Sequence, residues 1–544
     1  MPLMTTGDAI VEALIAHGVD TVFGIPGAHM YDFNDALARR SDAIRFITAR
    51  HEQGAAYMAF GYAKSTGRVG VYTVVPGPGV LNSAAALCTA YGAIAPVLCI
   101  TGNIMAHLIG RGRGQLHELP DQLALLSGLT KWAKRIDHPS AAPHVMAEAF
   151  RQLASGRVRP VAVEAPWDVF GQRAEIGPAE RLPPVPAPSP DPEAIADAAR
   201  LIATAKRPLI TVGAGAQHAG GAVLRLAELL QAPVTAHRSG KGVISDESPY
   251  ALNSVAAYEY WKDADLLIGI GSRLELQHFR WRWLPPNVKL VRIDIDPTEM
   301  VRLKPHAAIV ADSLDGTAAL TAALEASRAE PLPSQQRRFA QLRAQAHDLI
   351  RRVQPQMGYL DAIREVLPRD GFFVEEICQA GFTARFGFPV YGPRQYVTCG
   401  YQDNLGFGFG TALGVKVAHP GRPVVAVCGD GGFLFGCQEL ATAVQYRIPV
   451  VTVLFNNGSY GNVRRDQLER YRGRTLGADL VNPDFGKFTE SFGALALRAD
   501  TPGELRAALA QALHAERPAV IEVPIERGAE DSPWPLTLPA PHAP

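Results

Sequence analysis

Val424-Val425-Ala426-Val427-Cys428-Gly429-Asp430-Gly431-Gly432 carries an apolar run to a glycine-flanked carboxylate, and Val450-Val451-Thr452-Val453-Leu454-Phe455-Asn456-Asn457-Gly458 carries a second run to a pair of amides. Between Gly-Asp-Gly and Asn-Asn lie 24 residues, 432–455. Both runs are short and rich in β-branched residues, the pattern of strands buried on both faces of a parallel sheet. Residues 438–446 between them read as a helix. A strand, helix, strand unit brings Asp430 and Asn457 to the carboxyl ends of neighbouring strands, where open α/β sheets bind ligands. Carboxylate and amide oxygens suit a hard cation such as Mg²⁺, which keeps some water and takes further ligands from phosphates. Gly431 and Gly432 let the backbone approach a diphosphate closely, and a helix start after them adds positive potential. Alone, either motif is an ordinary turn. Together, at this spacing, they point to an enzyme with a metal-held diphosphate.

The rest of the chain bounds that expectation. Its 544 residues allow roughly three or four domains. Lysine plus arginine equals aspartate plus glutamate, 53 each, which argues against a polyanionic partner such as nucleic acid. Six cysteines (Cys88, Cys99, Cys378, Cys399, Cys428, Cys437) lie mostly in apolar segments without CxxC spacing, so buried thiols in a reducing compartment are expected. No run reaches ~18 apolar residues and residues 1–10 lack a basic start followed by an apolar stretch. The expectation is a cytoplasmic protein that acts on small molecules and does not enter a membrane.

Proline-rich stretches at 182–193 and, more weakly, at 330–334 read as spacers. They divide the chain into 1–181, a linker 182–193, 194–329, a linker 330–354, 355–530, and a proline-rich tail 531–544. Strands are expected at 21–24, 69–75, 97–101 and 160–164 in the first part, and at 208–212, 264–270 and 289–295 in the second. Thr5 or Thr6 is placed to cap a helix running to Ala16. This alternation predicts an α/β protein of three consecutive domains with parallel sheets.

The Gly-Asp-Gly and Asn-Asn pair matches the signature of thiamine diphosphate (ThDP) enzymes. Arg50-His51-Glu52-Gln53-Gly54-Ala55-Ala56-Tyr57-Met58-Ala59, then Gly61-Tyr62-Ala63 and Pro76-Gly77-Pro78-Gly79-Val80-Leu81-Asn82, resemble the first domain of the superfamily of acetolactate synthase, pyruvate oxidase, benzoylformate decarboxylase and benzaldehyde lyase. The resemblance runs from Thr6 to about Pro524. It implies ThDP with Mg²⁺ held by the Asp430 carboxylate, the Asn457 side chain and the Ser459 carbonyl. Gly429, Gly431, Gly432 and Tyr460 would surround the diphosphate, and Ile377-Cys378-Gln379 would touch it, with Cys378 where relatives often have glycine. Leu405, in Gly400-Tyr401-Gln402-Asp403-Asn404-Leu405-Gly406-Phe407-Gly408, would lie beneath the bent cofactor. Pro76 and Asn82 would face it from the first domain. A glutamate at a helix start is by itself a solvated charge favoured by the dipole; the resemblance instead makes Glu52 the carboxylate that bonds a cofactor ring nitrogen and supports proton removal. In this superfamily the site lies between subunits, which implies a homodimer or homotetramer.

His29 follows a strand in Gly24-Ile25-Pro26-Gly27-Ala28-His29, a loop similar to that of benzaldehyde lyase, where the histidine moves protons. Aligning Asp121-Gln122 and Thr130-Lys131-Trp132 with that enzyme puts His117 where it has a catalytic glutamine, and Gln115 is the alternative. Val75 stands where benzoylformate decarboxylase would need a histidine. After Asn457, Asn462 and Val463 are expected to line the pocket, while Arg464 and Arg465 replace apolar residues of acetolactate synthases. If one of the two faces the cleft, with Arg464 the candidate pocket residue, it would hold a substrate carboxylate; otherwise it is a surface charge. Gly213-Ala214-Gly215 follows a strand and allows a nucleotide-binding reading, although a lone glycine-rich turn carries little by itself. Gly271-Ser272-Arg273 and Ile293-Asp294-Ile295-Asp296 resemble segments that contact flavin adenine dinucleotide (FAD) in acetolactate synthase and pyruvate oxidase, and non-flavin members keep similar remnants. The implied activity is a ThDP- and Mg²⁺-dependent carbon-carbon lyase or carboligase on 2-oxo acids or 2-hydroxyketones, acetolactate synthase-like. The alternatives are a benzaldehyde lyase-like enzyme, a 2-oxo acid decarboxylase, a flavin-dependent oxidase of the pyruvate oxidase type, and a paralogue without turnover.

Overall fold

Three six-stranded parallel sheets succeed one another along the chain in the computed structural model, which describes residues 1–327 and 332–540. The first region contains β1 (Leu3–Thr5), β2 (Thr21–Gly24), β3 (Arg45–Thr48), β4 (Gly70–Val74), β5 (Val97–Asn103), β6 (Trp132–Arg135), β7 (Val161–Pro166) and β8 (Arg173–Glu175). β1 and β8 pair antiparallel, and the other six form a sheet in the order β3-β2-β4-β5-β7-β6. β4, β5 and β7 are buried along their whole length, as strands covered by helices on both faces must be.

The middle region holds β9 (Pro208–Val212), β10 (Val234–Ala236), β11 (Ala251–Leu252), β12 (Leu266–Ile270), β13 (Lys289–Asp294) and β14 (Ala307–Val310), ordered β11-β10-β9-β12-β13-β14. That is the 3-2-1-4-5-6 order of dinucleotide-binding folds. The third region holds β15 (Phe372–Glu375), β16 (Tyr396–Val397), β17 (Val424–Gly429), β18 (Val451–Asn456), β19 (Leu495–Arg498) and β20 (Ala519–Pro524), ordered β16-β15-β17-β18-β20-β19. Its permutation, 2-1-3-4-6-5, repeats that of the first sheet.

The first and third regions lock together helix on helix. A Cβ on Gly61, in the helix Glu52–Thr66, would lie 2.0 Å from the Thr411 carbonyl oxygen, and one on Gly414, in the helix Gly408–Ala418, would lie 1.9 Å from that of Met58. Only glycine permits that approach.

Three expectations need correction. The segment after Gly429 is a single helical turn, Asp430–Phe433; the longer helix starts only at Leu440 and ends at Gln445, after a 3₁₀ turn at Cys437–Glu439. The expected linker 330–354, of which 330 and 331 fall outside the described residues, contains a 15-residue helix, Gln336–Ile350. Its Phe339, Ala346 and Ile350 are buried, one apolar stripe at helical spacing, and the Phe339 ring packs edge-on against Tyr250 and Tyr260. The proline-rich tail is ordered to residue 540: it forms the turn Trp534–Thr537, and the Ala540 carbonyl accepts a hydrogen bond from the Tyr258 hydroxyl; residues 541–544 are outside the described ones. By contrast, residues 182–190 have no regular structure, and Asp191 caps the helix Pro192–Ala203. Among the described residues no helix is long and apolar enough to cross a membrane, and all six cysteines are free.

Candidate functional site

In the third sheet the order reverses between β15 and β17, which opens a crevice at their carboxyl ends. Asp430 follows β17 and Asn457 follows the adjacent β18, with Gly429 directly opposite Phe455. Asp430 is 2% exposed. Its Oδ1 accepts from the Gly431 amide at 2.9 Å and its Oδ2 from Asn482 Nδ2 at 2.6 Å. Among the described residues it has no cationic ion-pair partner, and burial raises its carboxyl above the usual range. A buried carboxylate with hydrogen bonds but no counter-charge is costly to keep ionised, so the site's electrostatics fit a cation. Asn457 Oδ1 accepts from the Ser459 amide at 3.0 Å and hydroxyl at 2.9 Å, while its Nδ2 donates to Glu530 Oε2 at 2.7 Å. The donor set is entirely oxygen, which fits Mg²⁺.

The expected diphosphate loop follows β15. Cys378 Sγ accepts from the Gly381 amide at 3.3 Å and so caps the helix Gln379–Gly387. Gln379 Nε2 is buried without a hydrogen-bond partner, an unmet donor that a diphosphate oxygen would satisfy. Gly431 must be glycine, since a Cβ there would lie 2.5 Å from the Tyr460 ring.

Glu376, not singled out from sequence, ties these pieces together. Fully buried, it accepts from the amides of Gly406 at 3.1 Å and Gly408 at 2.8 Å, on the C-terminal side of Leu405, and from Ile377 at 3.2 Å. Burial pushes its carboxyl up to about 7. Leu405 is half-buried; its neighbour Asn404 bonds the Tyr57 hydroxyl and accepts from Thr89 Oγ1 at 3.0 Å, both in the first region. The available signal was Glu375-Glu376 ending the apolar run Phe372-Phe373-Val374.

The first sheet has the same reversal, between β2 and β4. The loop after β2 carries His29 and the loop after β4 carries Pro76-Gly77-Pro78-Gly79. His29 is 4% exposed, its Nε2 lies 3.0 Å from the Leu116 carbonyl, and its ring meets those of His117 at 5.3 Å and Trp167 at 4.9 Å. Both histidines adopt positive φ, 68° and 66°, and both leave a buried Nδ1 unpaired. Burial and the neighbouring His117 hold His29 below the ordinary imidazole range. The Gly77 loop separates this pair from Glu52: a Cβ on Gly77 would be 2.5 Å from the His117 carbonyl, and one on Gly79 would be 3.7 Å from Glu52 Cγ. Buried Gln122 holds the loop by accepting from the Gly77 amide at 2.8 Å while donating to Gly102 and Glu164. Of the two alternatives, His117 meets His29, whereas the Gln115 side chain is exposed.

Glu52 begins its helix half-buried, and its Oε2 accepts from Asn82 Nδ2 at 3.0 Å. The preceding turn is gripped from the third region, where the buried Glu439 accepts from the amides of Arg50 at 3.0 Å and His51 at 2.9 Å. Within one chain, among the described residues, no hydrogen bond joins Glu52 to Asp430, Asn457 or Ser459.

In the helix Gly461–Arg470, the Arg464 guanidinium bonds Asp479 at 2.8 Å in an exposed ion pair. Arg465 points the other way, toward Gln379 Oε1 at 3.4 Å and the Glu530 carbonyl at 3.1 Å. Val463 is 49% exposed, and Asn462 accepts from Trp534 Nε1.

In the middle sheet the reversal falls between β9 and β12, and a cavity of about 660 Å³ opens there. Arg157, Arg238, Arg273, Arg280 and Arg302 line it, against the carboxylates Glu275 and Asp403. Gly213 and Gly215 pack against Gly271, where a Cβ on Gly213 would meet the Gly271 carbonyl at 2.3 Å. Its size fits a small-molecule ligand, and each of the five arginines is already ion-paired, to Glu275, Asp403, Asp296 or Glu299.

Family models match all three regions: the thiamine pyrophosphate enzyme N-terminal TPP binding domain over residues 4–125, the central domain over 195–324, and the C-terminal TPP binding domain over 377–523. A probable 2-ketoarginine decarboxylase of Pseudomonas aeruginosa is 34% identical over 90% of this chain and 88% of its own length. A probable acetolactate synthase large subunit of Methanocaldococcus jannaschii is 33% identical over 96% and 92%. The solved thiamine diphosphate-dependent 4-hydroxybenzoylformate decarboxylase of Rhodococcus jostii superposes with a TM-score of 0.81 at 24% identity, covering 96% of this chain and 99% of that one, and so supports the fold.

Proposed function

The chain belongs to the thiamine pyrophosphate enzyme family, and from that membership we propose that it is a ThDP- and Mg²⁺-dependent carbon-carbon lyase or carboligase acting on 2-oxo acids or 2-hydroxyketones, acetolactate synthase-like in the broad sense. The observation that carries the proposal is the pair of half-sites at equivalent strand-order reversals. One is an oxygen cradle around Asp430 and Asn457, and the other is Glu52 with the His29 and His117 pair. Bound cofactor supplies the electron sink for cleaving or forming a bond next to a carbonyl.

The protein supplies position and proton control. Asp430, Asn457 and the Ser459 carbonyl would hold Mg²⁺, with Gln379 Nε2 and the backbone at Gly431 facing the diphosphate. Leu405, fixed by Glu376 and Asn404, would support the ring system. Glu52, presented by Asn82 and by the Glu439 clasp, would bond the ring nitrogen and share its proton. Because His29 Nε2 faces a carbonyl, that nitrogen bears the hydrogen and Nδ1 is left as an acceptor; His29 and His117 would accept and return protons on the substrate side. The two halves meet across a homodimer or homotetramer interface in this reading. The central cavity would hold FAD if this chain is a flavin-containing member and would be a remnant of that site if it is not; visible absorption of the purified protein distinguishes the two.

Purified protein with ThDP and Mg²⁺ should be offered pyruvate, benzoylformate, benzoin and aliphatic acyloins, with CO₂, aldehyde and chiral products measured. Cofactor-dependent turnover of a 2-oxo acid or acyloin supports the proposal; no Mg²⁺-dependent ThDP binding by calorimetry overturns it. The His29–His117 contact favours a second reading, acyloin cleavage without decarboxylation. In that case benzoin yields aldehyde and pyruvate yields no CO₂.

A further inference from the structure

The geometry points to Glu530 as the positioning residue that orients the Asn457 amide toward the metal, and to the C-terminal segment as the strap that completes the diphosphate half-site. This rests on the reading of Asn457 as a metal ligand.

A primary amide has one acceptor end and one donor end, and only the oxygen binds a hard cation. An asparagine free to flip would present the wrong end part of the time. Glu530 Oε2 lies 2.7 Å from Asn457 Nδ2. An ionised carboxylate only accepts hydrogen bonds, so this contact fixes the nitrogen on the Glu530 side. The oxygen is turned to the other side, where the amide and hydroxyl of Ser459 lie at 3.0 and 2.9 Å.

Glu530 is 8% exposed, so its carboxylate needs a reason to be there. Arg465 helps through its charge, but its guanidinium makes its hydrogen bond, at 3.1 Å, to the Glu530 backbone carbonyl, and the Glu530 side chain goes to Asn457. The segment is held on its C-terminal side. The Asp531 amide donates to the Gln354 carbonyl at 2.8 Å, and the Asp531 carbonyl accepts from Gln356 Nε2 at 2.7 Å. Trp534 packs on Phe382, ring centroids 5.0 Å apart, and donates to Asn462. The strap therefore touches the metal ligand Asn457, the helix that begins at Gln379 and the helix that carries Arg465. Partners one shell out from a metal set ligand orientation, and their loss weakens metal binding by about 10–100-fold.

The test uses the full-length protein at saturating ThDP, with Mg²⁺ titrated by calorimetry and Mn²⁺ by electron paramagnetic resonance of the free ion. Glu530→Ala removes the acceptor; Glu530→Met does so with nearly the same volume and serves if the alanine variant misfolds. Glu530→Gln has both a donor and an acceptor end and so no longer dictates which end of Asn457 it meets. The expected result is metal affinity about 10–100-fold weaker in the Ala and Met variants and a smaller but clear loss in Gln, with unchanged melting temperature of the metal-free protein. Wild-type affinity in the Met variant, or in Gln, overturns the inference. Failure of the wild-type protein to bind ThDP in a metal-dependent way overturns the underlying reading instead.

Discussion

The first and third regions are the same 2-1-3-4-6-5 sheet with different residues at the crevice, and the proposed function gives them different tasks. Each has its crevice where the order of strands reverses, yet the third fills it with hard oxygens and glycine backbone, and the first with a glutamate and two imidazoles. Asp430 itself is 2% exposed, but apolar side chains stay uncovered beside both sites: Leu81 at 49%, Leu116 at 62% and Trp167 at 37% in the first region, Val463 at 49% and Phe435 at 48% in the third. The comparison teaches that topology fixes where a ligand sits, while the residues after each strand decide whether the crevice holds a charge or moves a proton.

If the two regions divide holding from proton transfer, substitutions should separate binding from turnover. Asp430→Asn should have the largest effect, abolishing Mg²⁺-dependent ThDP binding by calorimetry and all turnover with it. Glu52→Gln should keep near-normal cofactor binding but lower kcat by about 10²–10⁴-fold; a parallel loss of binding would break the distinction. His29→Asn and His117→Asn, which keep a residue tolerant of positive φ, should each lower kcat by about 10²-fold with cofactor affinity unchanged. Since the rings touch, the double variant should fall well short of the product of the single effects.

The smallest effect concerns pH. His29 has its folded pKa depressed by burial and by His117, so the unfolded chain binds a proton that the folded chain refuses. Its contribution to stability is present above the unfolded imidazole value, ~6.5, and is lost as pH falls through that value toward the folded one. Urea unfolding at about pH 7.5 and 5.5 should show a larger loss in the wild type than in His29→Asn. Equal losses would mean that His29 is as well solvated as a surface histidine.

Much of this was legible before folding. The apolar runs ending at Asp430 and Asn457, and the helix starting at Glu52, are local patterns, and strands such as Pro208–Val212 fall where their β-branched residues put them. The residues that were missed act at long range. Glu376 bonds amides 30 and 32 positions away, Glu439 grips a turn 388 positions earlier, and Asn482 reaches Asp430 across 52 positions. An isolated buried glutamate or asparagine has no periodicity to reveal it. In the expected linker at 330–354 the proline content masked the helical stripe of Gln336–Ile350. Arg464 and Arg465 are adjacent and chemically equal, and only the helix they sit on sends one to Asp479 and the other toward Gln379.

The sequence by itself determined the three α/β regions and the Gly-Asp-Gly and Asn-Asn motifs that mark the family, because strand periodicity and the residues after each strand are written locally. Tertiary structure alone decided which of two neighbouring arginines faces the site, that His117 rather than Gln115 meets His29, and that Glu530 closes on Asn457. Those outcomes depend on where a buried polar group finds its partner, and in a folded chain that partner is set by packing across hundreds of residues.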